Sequence, residues 1–154
     1  MIEPKVRSGA RALLFDRLVD TEPESQKEVR PLRALDKNGL KASIRRELGR
    51  LLNTRCPMPL TPTDERTVIN YGIPDFSWLS LYNGDHRARL ASWIRDAIVA
   101  YEPRLADVQV TVDPPMKSER SLTAKIEANL RTETIREPVA FTVVVKCDRN
   151  GTGA

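Results

Sequence analysis

The sequence predicts an α+β fold: an antiparallel β-meander of about three strands, with room for a fourth, packed on two main helices behind a flexible or helical N-terminal arm. Three observations predict it. Two stretches, one beginning at Leu40 and one at Gly84, repeat apolar residues at helical spacing, while three later stretches alternate apolar and polar residues. The connections between those three are too short to hold crossover helices, so neighbouring strands must run antiparallel. A chain of 154 residues, 40% of them hydrophobic, can bury one modest core. The expected divisions are an arm and linker over 1–39, one α+β domain over 40–147 and a frayed tail over 148–154.

Taken in order, Leu13, Leu14, Phe15, Leu18 and Val19 give residues 9–19 a short amphipathic pattern, too short to hold a helix by itself. Residues 20–39 are polar and broken by Pro23 and Pro31, a linker composition expected to be flexible. The first main helix places Leu40, Ile44, Leu48, Leu51 and Leu52 on one face, with Lys41, Arg45, Arg46, Glu47 and Arg50 largely outside it. Gly49 weakens it by about 1 kcal/mol relative to alanine. Cys56-Pro57-Met58-Pro59 stops it. Residues 60–83 have no regular pattern, but Asn70-Tyr71-Gly72-Ile73-Pro74-Asp75 reads as an ordered loop tied down by Tyr71, Ile73, Phe76, Trp78 and Leu79. The second main helix carries Leu90, Ile94, Ala97, Ile98 and Tyr101 as its apolar stripe; Asn83 or Asp85 is expected to cap its start and Pro103 to mark its exit. Val108–Val112, Leu122–Leu130 and Val139–Val145 then form the strands. The last is almost uniformly apolar, which fits burial on both faces. As the end of a meander it should lie at an edge, and a long apolar edge invites a strand from another chain.

Composition removes several function classes. The 25 basic and 21 acidic residues are spread along the chain and only eight residues are aromatic, whereas nucleic-acid binders concentrate charge and interleave it with aromatics. Cys56 and Cys147 form no metal-binding pair and suit a reducing, cytoplasmic compartment. No export signal or stretch of 18 apolar residues is present, so neither secretion nor membrane insertion is expected. His86, the single histidine, lies on the polar side of its helix. Asp75, Asp85, Asp96 and Glu102 are carboxylates whose spacing selects no catalytic pair. No phosphate-loop, dinucleotide or HExxH motif occurs. The expectation is a non-enzyme with no catalytic residue, cofactor, metal or small-molecule substrate.

Glu102-Pro103-Arg104 is the most distinctive local chemistry: an acid and a base on either side of a rigid residue, at a helix exit. One reading is local, with Arg104 satisfying the last helix carbonyls and Glu102 in an exposed ion pair worth less than about 1 kcal/mol. The other has proline holding both charged groups outward for a partner. On that reading Arg104→Ala should leave folding nearly unchanged and abolish assembly; on the separate reading of the last strand as an open edge, Val143→Pro should block pairing there.

Four blocks then carry a family resemblance: Leu14-Phe15-Asp16-Arg17-Leu18; Ser43 to Leu48 with Leu51-Leu52-Asn53-Thr54-Arg55; Val68 to Asp75; and Tyr101-Glu102-Pro103-Arg104-Leu105. In that order they resemble the baseplate wedge proteins of contractile phage tails and their type VI secretion counterparts, with the first block and the Leu-Leu-Asn-Thr-Arg ending closer to the secretion (TssE) branch. Gly49, Tyr101 and Thr67 depart from the family pattern. The resemblance implies a structural subunit, and gives no chemical reason to adopt the "lysozyme-like" label some members carry. It implies docking on the core bundle of neighbouring wedge subunits through Glu102, Pro103 and Arg104, with Arg45, Arg46, Asn70, Tyr71 and Asp75 as further candidate partner-binding residues. It also implies strand exchange with the contractile sheath along Val139, Phe141, Val143 and Val145. The place it implies is a cytoplasmic baseplate at the inner face of the membrane. Two readings from other classes remain beside it, a peptidoglycan hydrolase and a small adaptor that binds a regulator through its sheet edge.

Overall fold

The computed structural model describes residues 10–11, 34–57, 67–115, 121–131 and 136–147. Strand β1, Ala10–Arg11, pairs antiparallel with β2, Ala34–Leu35. A helix over 9–19 is therefore not what Ala10 and Arg11 form, because their backbone is extended and partnered by residues expected to be linker. The leucines at 13–18 and the tail beyond Cys147 lie outside the described residues.

Helix α1 spans Lys37–Leu52, three residues longer at its start than the apolar pattern indicates, because Asp36 caps it by accepting from the Gly39 N–H at 2.8 Å. Its stripe of Leu40, Ile44, Leu48, Leu51 and Leu52 is fully buried. Helix α2 spans Gly84–Tyr101; the Asn83 side chain caps it by accepting from the Asp85 N–H at 2.8 Å, and Leu90, Ile94, Ala97 and Ile98 form its buried face. It ends one residue before Glu102, where the approaching Pro103 disfavours further helix.

The described residues between the helices are held by short but specific contacts. β3 (Arg55–Cys56) and β4 (Ile73–Pro74) form a two-residue parallel pair, with a 3₁₀ turn at Val68–Asn70 just before β4. The Ile73 N–H donates to the Thr54 carbonyl at 3.0 Å. Gly72 adopts φ +122°, and a Cβ there would sit 2.5 Å from the Thr54 carbonyl oxygen, so both the conformation and the close approach require glycine. The Leu-Leu-Asn-Thr-Arg and Asn-Tyr-Gly-Ile-Pro-Asp blocks are thus two sides of one contact.

β5 (Leu105–Val112), β6 (Ser121–Arg131) and β7 (Arg136–Lys146) form the antiparallel sheet in the order β5-β6-β7. Among the described residues no fourth strand joins it. Both helices cover the same face, α1 over β7 and α2 over β5. For that reason β7 is not buried on both faces: Val139, Phe141, Val143 and Val145 enter the core, while Val144 on the other face is 56% exposed. A bulge interrupts β5, where the register shifts between Ala106 and Gln109 and Asp107 adopts φ 54°. The extra residue lets Leu105 and Val108 both face the core, breaking the alternation that Val108, Val110 and Val112 suggest on their own.

Candidate functional site

The helix exit folds inward. Glu102 is only 4% exposed, and Arg104 grips its carboxylate with two short bonds, Nε–H to Oε1 and Nη2–H to Oε2, each 2.6 Å. The Arg104 backbone N–H also reaches Oε1 at 3.3 Å. Its remaining arm, Nη1, donates to the Ser43 hydroxyl on α1 at 3.1 Å, and Ser43 is fully buried. The Arg131 N–H donates to the Arg104 carbonyl at 2.7 Å. One guanidinium therefore joins the end of α2 to α1, and its backbone joins the start of β5 to β6.

This corrects both sequence readings of the corner. The charges do not face outward together, and the ion pair is not an exposed one of small worth. The cause is geometric: with only Pro103 between them, a planar fork and a carboxylate close on each other bidentately, and the buried pair then draws its last hydrogen bond from α1. What faces solvent is Pro103 itself.

Around Pro103 the surface is apolar. Tyr71 and Tyr101 meet edge to face at 5.2 Å, and with Leu48, Leu51, Glu47 and Pro103 they line a cavity of about 70 Å³. Burial, with the Glu47 carboxylate as a lesser cause, raises the Tyr71 phenol above its usual 10.0. The Tyr101 hydroxyl donates to the Thr67 carbonyl at 2.9 Å and so draws the 3₁₀ turn to the end of α2. That turn holds Val68 and Ile69 at 93% and 74% exposure. Two aliphatic side chains so fully in water, beside an apolar depression, are the feature the candidate residues did not include. Their apolar character in an irregular stretch was the only signal available in the sequence.

The other candidate residues distribute as follows. Arg45 and Arg46 are exposed on α1, close in sequence to Ser43, and Asn70 is half-buried in the turn. Asp75 belongs elsewhere: its carboxylate holds the Ser77 N–H at 2.9 Å and hydroxyl at 3.0 Å, and it shares a cavity with Arg55 and Cys147 rather than with the corner. His86 accepts from the Ser80 N–H through Nδ1 at 2.9 Å, which pins the turn before α2. Arg95 binds Asp96 at 2.9 Å. The four carboxylates nominated for hydrolysis thus include one gripped by an arginine in the core, one holding a turn and one in a surface ion pair.

β7 is an edge strand, and its last residues are held from the side. Asn53, just after α1, donates to the Val144 carbonyl at 3.1 Å and accepts from the Lys146 N–H at 2.9 Å, while the Arg55 guanidinium donates to the Lys146 carbonyl and lies 4.8 Å over the Phe76 ring.

The family model for the baseplate wedge protein gp25 matches residues 38–134, more than half of the chain. The chain belongs to that family. The matched range runs from the first residues of α1 to the end of β6, and holds the corner and both interlocked blocks. This wedge protein is similar in fold to a chain of the baseplate complex from the type VI secretion system, with 19% identity, TM-score 0.50, and coverage of 71% of this chain and 96% of that one. It is equally similar to a Geobacter sulfurreducens protein described as a tail lysozyme, at 18% identity and TM-score 0.50, covering 73% and 97%. No curated protein matches it.

Proposed function

We propose that this wedge protein is a non-enzymatic subunit of a type VI secretion baseplate, standing in the cytoplasm at the inner face of the membrane. It docks on neighbouring wedge subunits around Pro103 and anchors the contractile sheath along the β7 edge. The observation that carries the docking half is the pairing of a rigid corner with exposed Val68 and Ile69: the buried Glu102–Arg104 pair fixes Pro103, and the Tyr101–Thr67 bond fixes the aliphatic pair beside it. Preorganised apolar anchors bind with little ordering cost. Glu102 and Arg104 serve this surface from beneath, Tyr71 lines it, and Arg45, Arg46 and Asn70 lie on the elements that flank it. Asp75 lies instead beside Arg55 and Cys147, near the end of the β7 edge.

Val68→Asp with Ile69→Asp tests this half. Both positions are solvent-exposed, so unfolding should change by no more than about 0.5 kcal/mol, while co-purification with the wedge subunits from the same cytosol is lost. A folded double variant that still co-purifies removes the docking claim. For the sheath half, Val143→Pro is a poor probe, because Val143 faces the core and its register partner is Ala124 of β6. Thr142→Pro is the better one: it removes an outward N–H and should stop sheath growth on complete baseplates without unfolding the domain. Normal sheath extension with Thr142→Pro rules this edge out.

A further inference from the structure

The Leu-Leu-Asn-Thr-Arg block carries part of the family resemblance, and its Asn53 and Arg55 do more than close the end of α1, where they donate to the Gly49 and Leu52 carbonyls at 2.8 and 3.2 Å. Both reach sideways to β7, and the parity of what they hold is informative. Backbone N–H and C=O groups of residues i and i+2 in a strand point to the same side. Asn53 takes the Val144 carbonyl and the Lys146 N–H, so even-numbered residues of β7 turn their backbone groups away from β6. Pro138 obeys the same parity, and its missing N–H costs the β6–β7 ladder nothing there. The register runs unbroken from Arg136 to Lys146, so this assignment holds along the strand.

The outward edge therefore divides in two. From Pro138 to the Val144 N–H, through both backbone groups of Ala140 and Thr142, no partner takes the outward groups among the described residues. From the Val144 carbonyl onward, Asn53 and Arg55 occupy them. The opposite edge of the sheet is a poor template, because the bulge at Asp107 breaks β5 in its first half. We infer that Asn53 and Arg55 are an edge cap: an extended strand of a partner chain pairs with β7 only between Pro138 and Val144, and the cap fixes where that pairing stops. The occupant is a short strand, with alternate apolar side chains continuing the face that α1 covers. This rests on the strand-addition half of the proposed function and sets its edge, length and register.

The test needs no baseplate subunit, so its failure is separable from failure of assembly with Thr142→Pro. The probe is an 11-residue alternating Thr-Val peptide, N-methylated on one edge so that only the other can pair, added to the isotope-labelled full chain while amide exchange is followed. Without peptide, Lys146 should exchange at least about tenfold more slowly than Ala140 and Thr142. With peptide, Ala140, Thr142 and Val144 should slow and Lys146 should stay as it was. In Asn53→Ala, Lys146 should exchange fast alone and slow on peptide addition, as the paired window lengthens. Should that variant not fold, Asn53→Asp keeps the acceptor for Lys146 and loses the donor to Val144; Lys146 should remain slow while the Val144 carbonyl resonance becomes peptide-sensitive. Three results overturn the inference: no slowing at Ala140 and Thr142, slowing at β5 instead, or a wild-type Lys146 that already exchanges as fast as Thr142.

Discussion

Arg104 is the residue on which the local chemistry turns. Its guanidinium is spent inside the molecule, two bonds on Glu102 and one on Ser43, with side chains only 11% and 5% exposed for the pair. Removing one partner of a buried ion pair leaves the other charge desolvated and unmatched, which costs about 3–5 kcal/mol. Arg104→Ala should therefore lower unfolding stability by that order, against the sequence-based expectation of a nearly neutral change. Replacing both members with apolar or neutral groups of similar size, Arg104→Met with Glu102→Gln, should recover most of the loss. Urea titration of the three proteins checks it, and an Arg104→Ala protein as stable as wild type would return the pair to the surface. The spacing of an acid, a proline and a base was visible in the sequence; its direction was not. Direction depends on Ser43, sixty-one residues away, and no local pattern reports a contact at that distance.

At the scale of elements, the two helices and three strands were legible because each buries one periodic face, and a single covered face writes its period into the sequence. Three features were not legible. The start of α1 depended on the Asp36 cap, the bulge in β5 depended on one residue at positive φ, and the one-sided burial of β7 depended on where the helices lie. The joint between α1 and β7 gives a further measurable consequence. Lys37 and Lys41 bind the two oxygens of Glu137 at 2.5 and 2.9 Å, clasping the first turns of α1 to the start of β7. The hydrogen bond from Lys37, then that from Lys41, lowers the Glu137 carboxyl below its ordinary 4.5. A carboxylate with a lowered folded value contributes stability that is present above the unfolded value and is lost as pH falls through the folded one. The stability difference between wild type and Glu137→Gln should thus be constant at neutral pH and shrink once pH drops below about 4.5. Denaturation midpoints measured across that range decide it; a gap that does not change with pH would mean the clasp does not act in solution.

For the whole molecule, α1 is the member that both proposed surfaces share. Ser43 near its middle holds the corner through Arg104, and Asn53 just past its end holds β7, about 15 Å farther along the helix axis. Its inner face meanwhile carries five of the fully buried or nearly buried leucines and isoleucines of the core. A joint built this way should not open locally. If the Glu102–Arg104 pair is part of one cooperative unit, its loss must be felt wherever exchange requires global unfolding, including β6 in the centre of the sheet. Arg104→Ala should then speed amide exchange at Ile126 and Ala128 of β6 and at Ile44 and Leu48 of α1 by the same factor as at the end of α2. The alternative is a local clasp, in which exchange rises only near Ile98–Ala106 and the sheet keeps its wild-type protection. The two outcomes differ in what a partner would meet. A cooperative unit presents the Pro103 surface and the β7 edge at a fixed spacing set by α1, so a wedge subunit bound at one would hold the other in place for the sheath; a local clasp would let the two surfaces move independently and would remove that mechanical role.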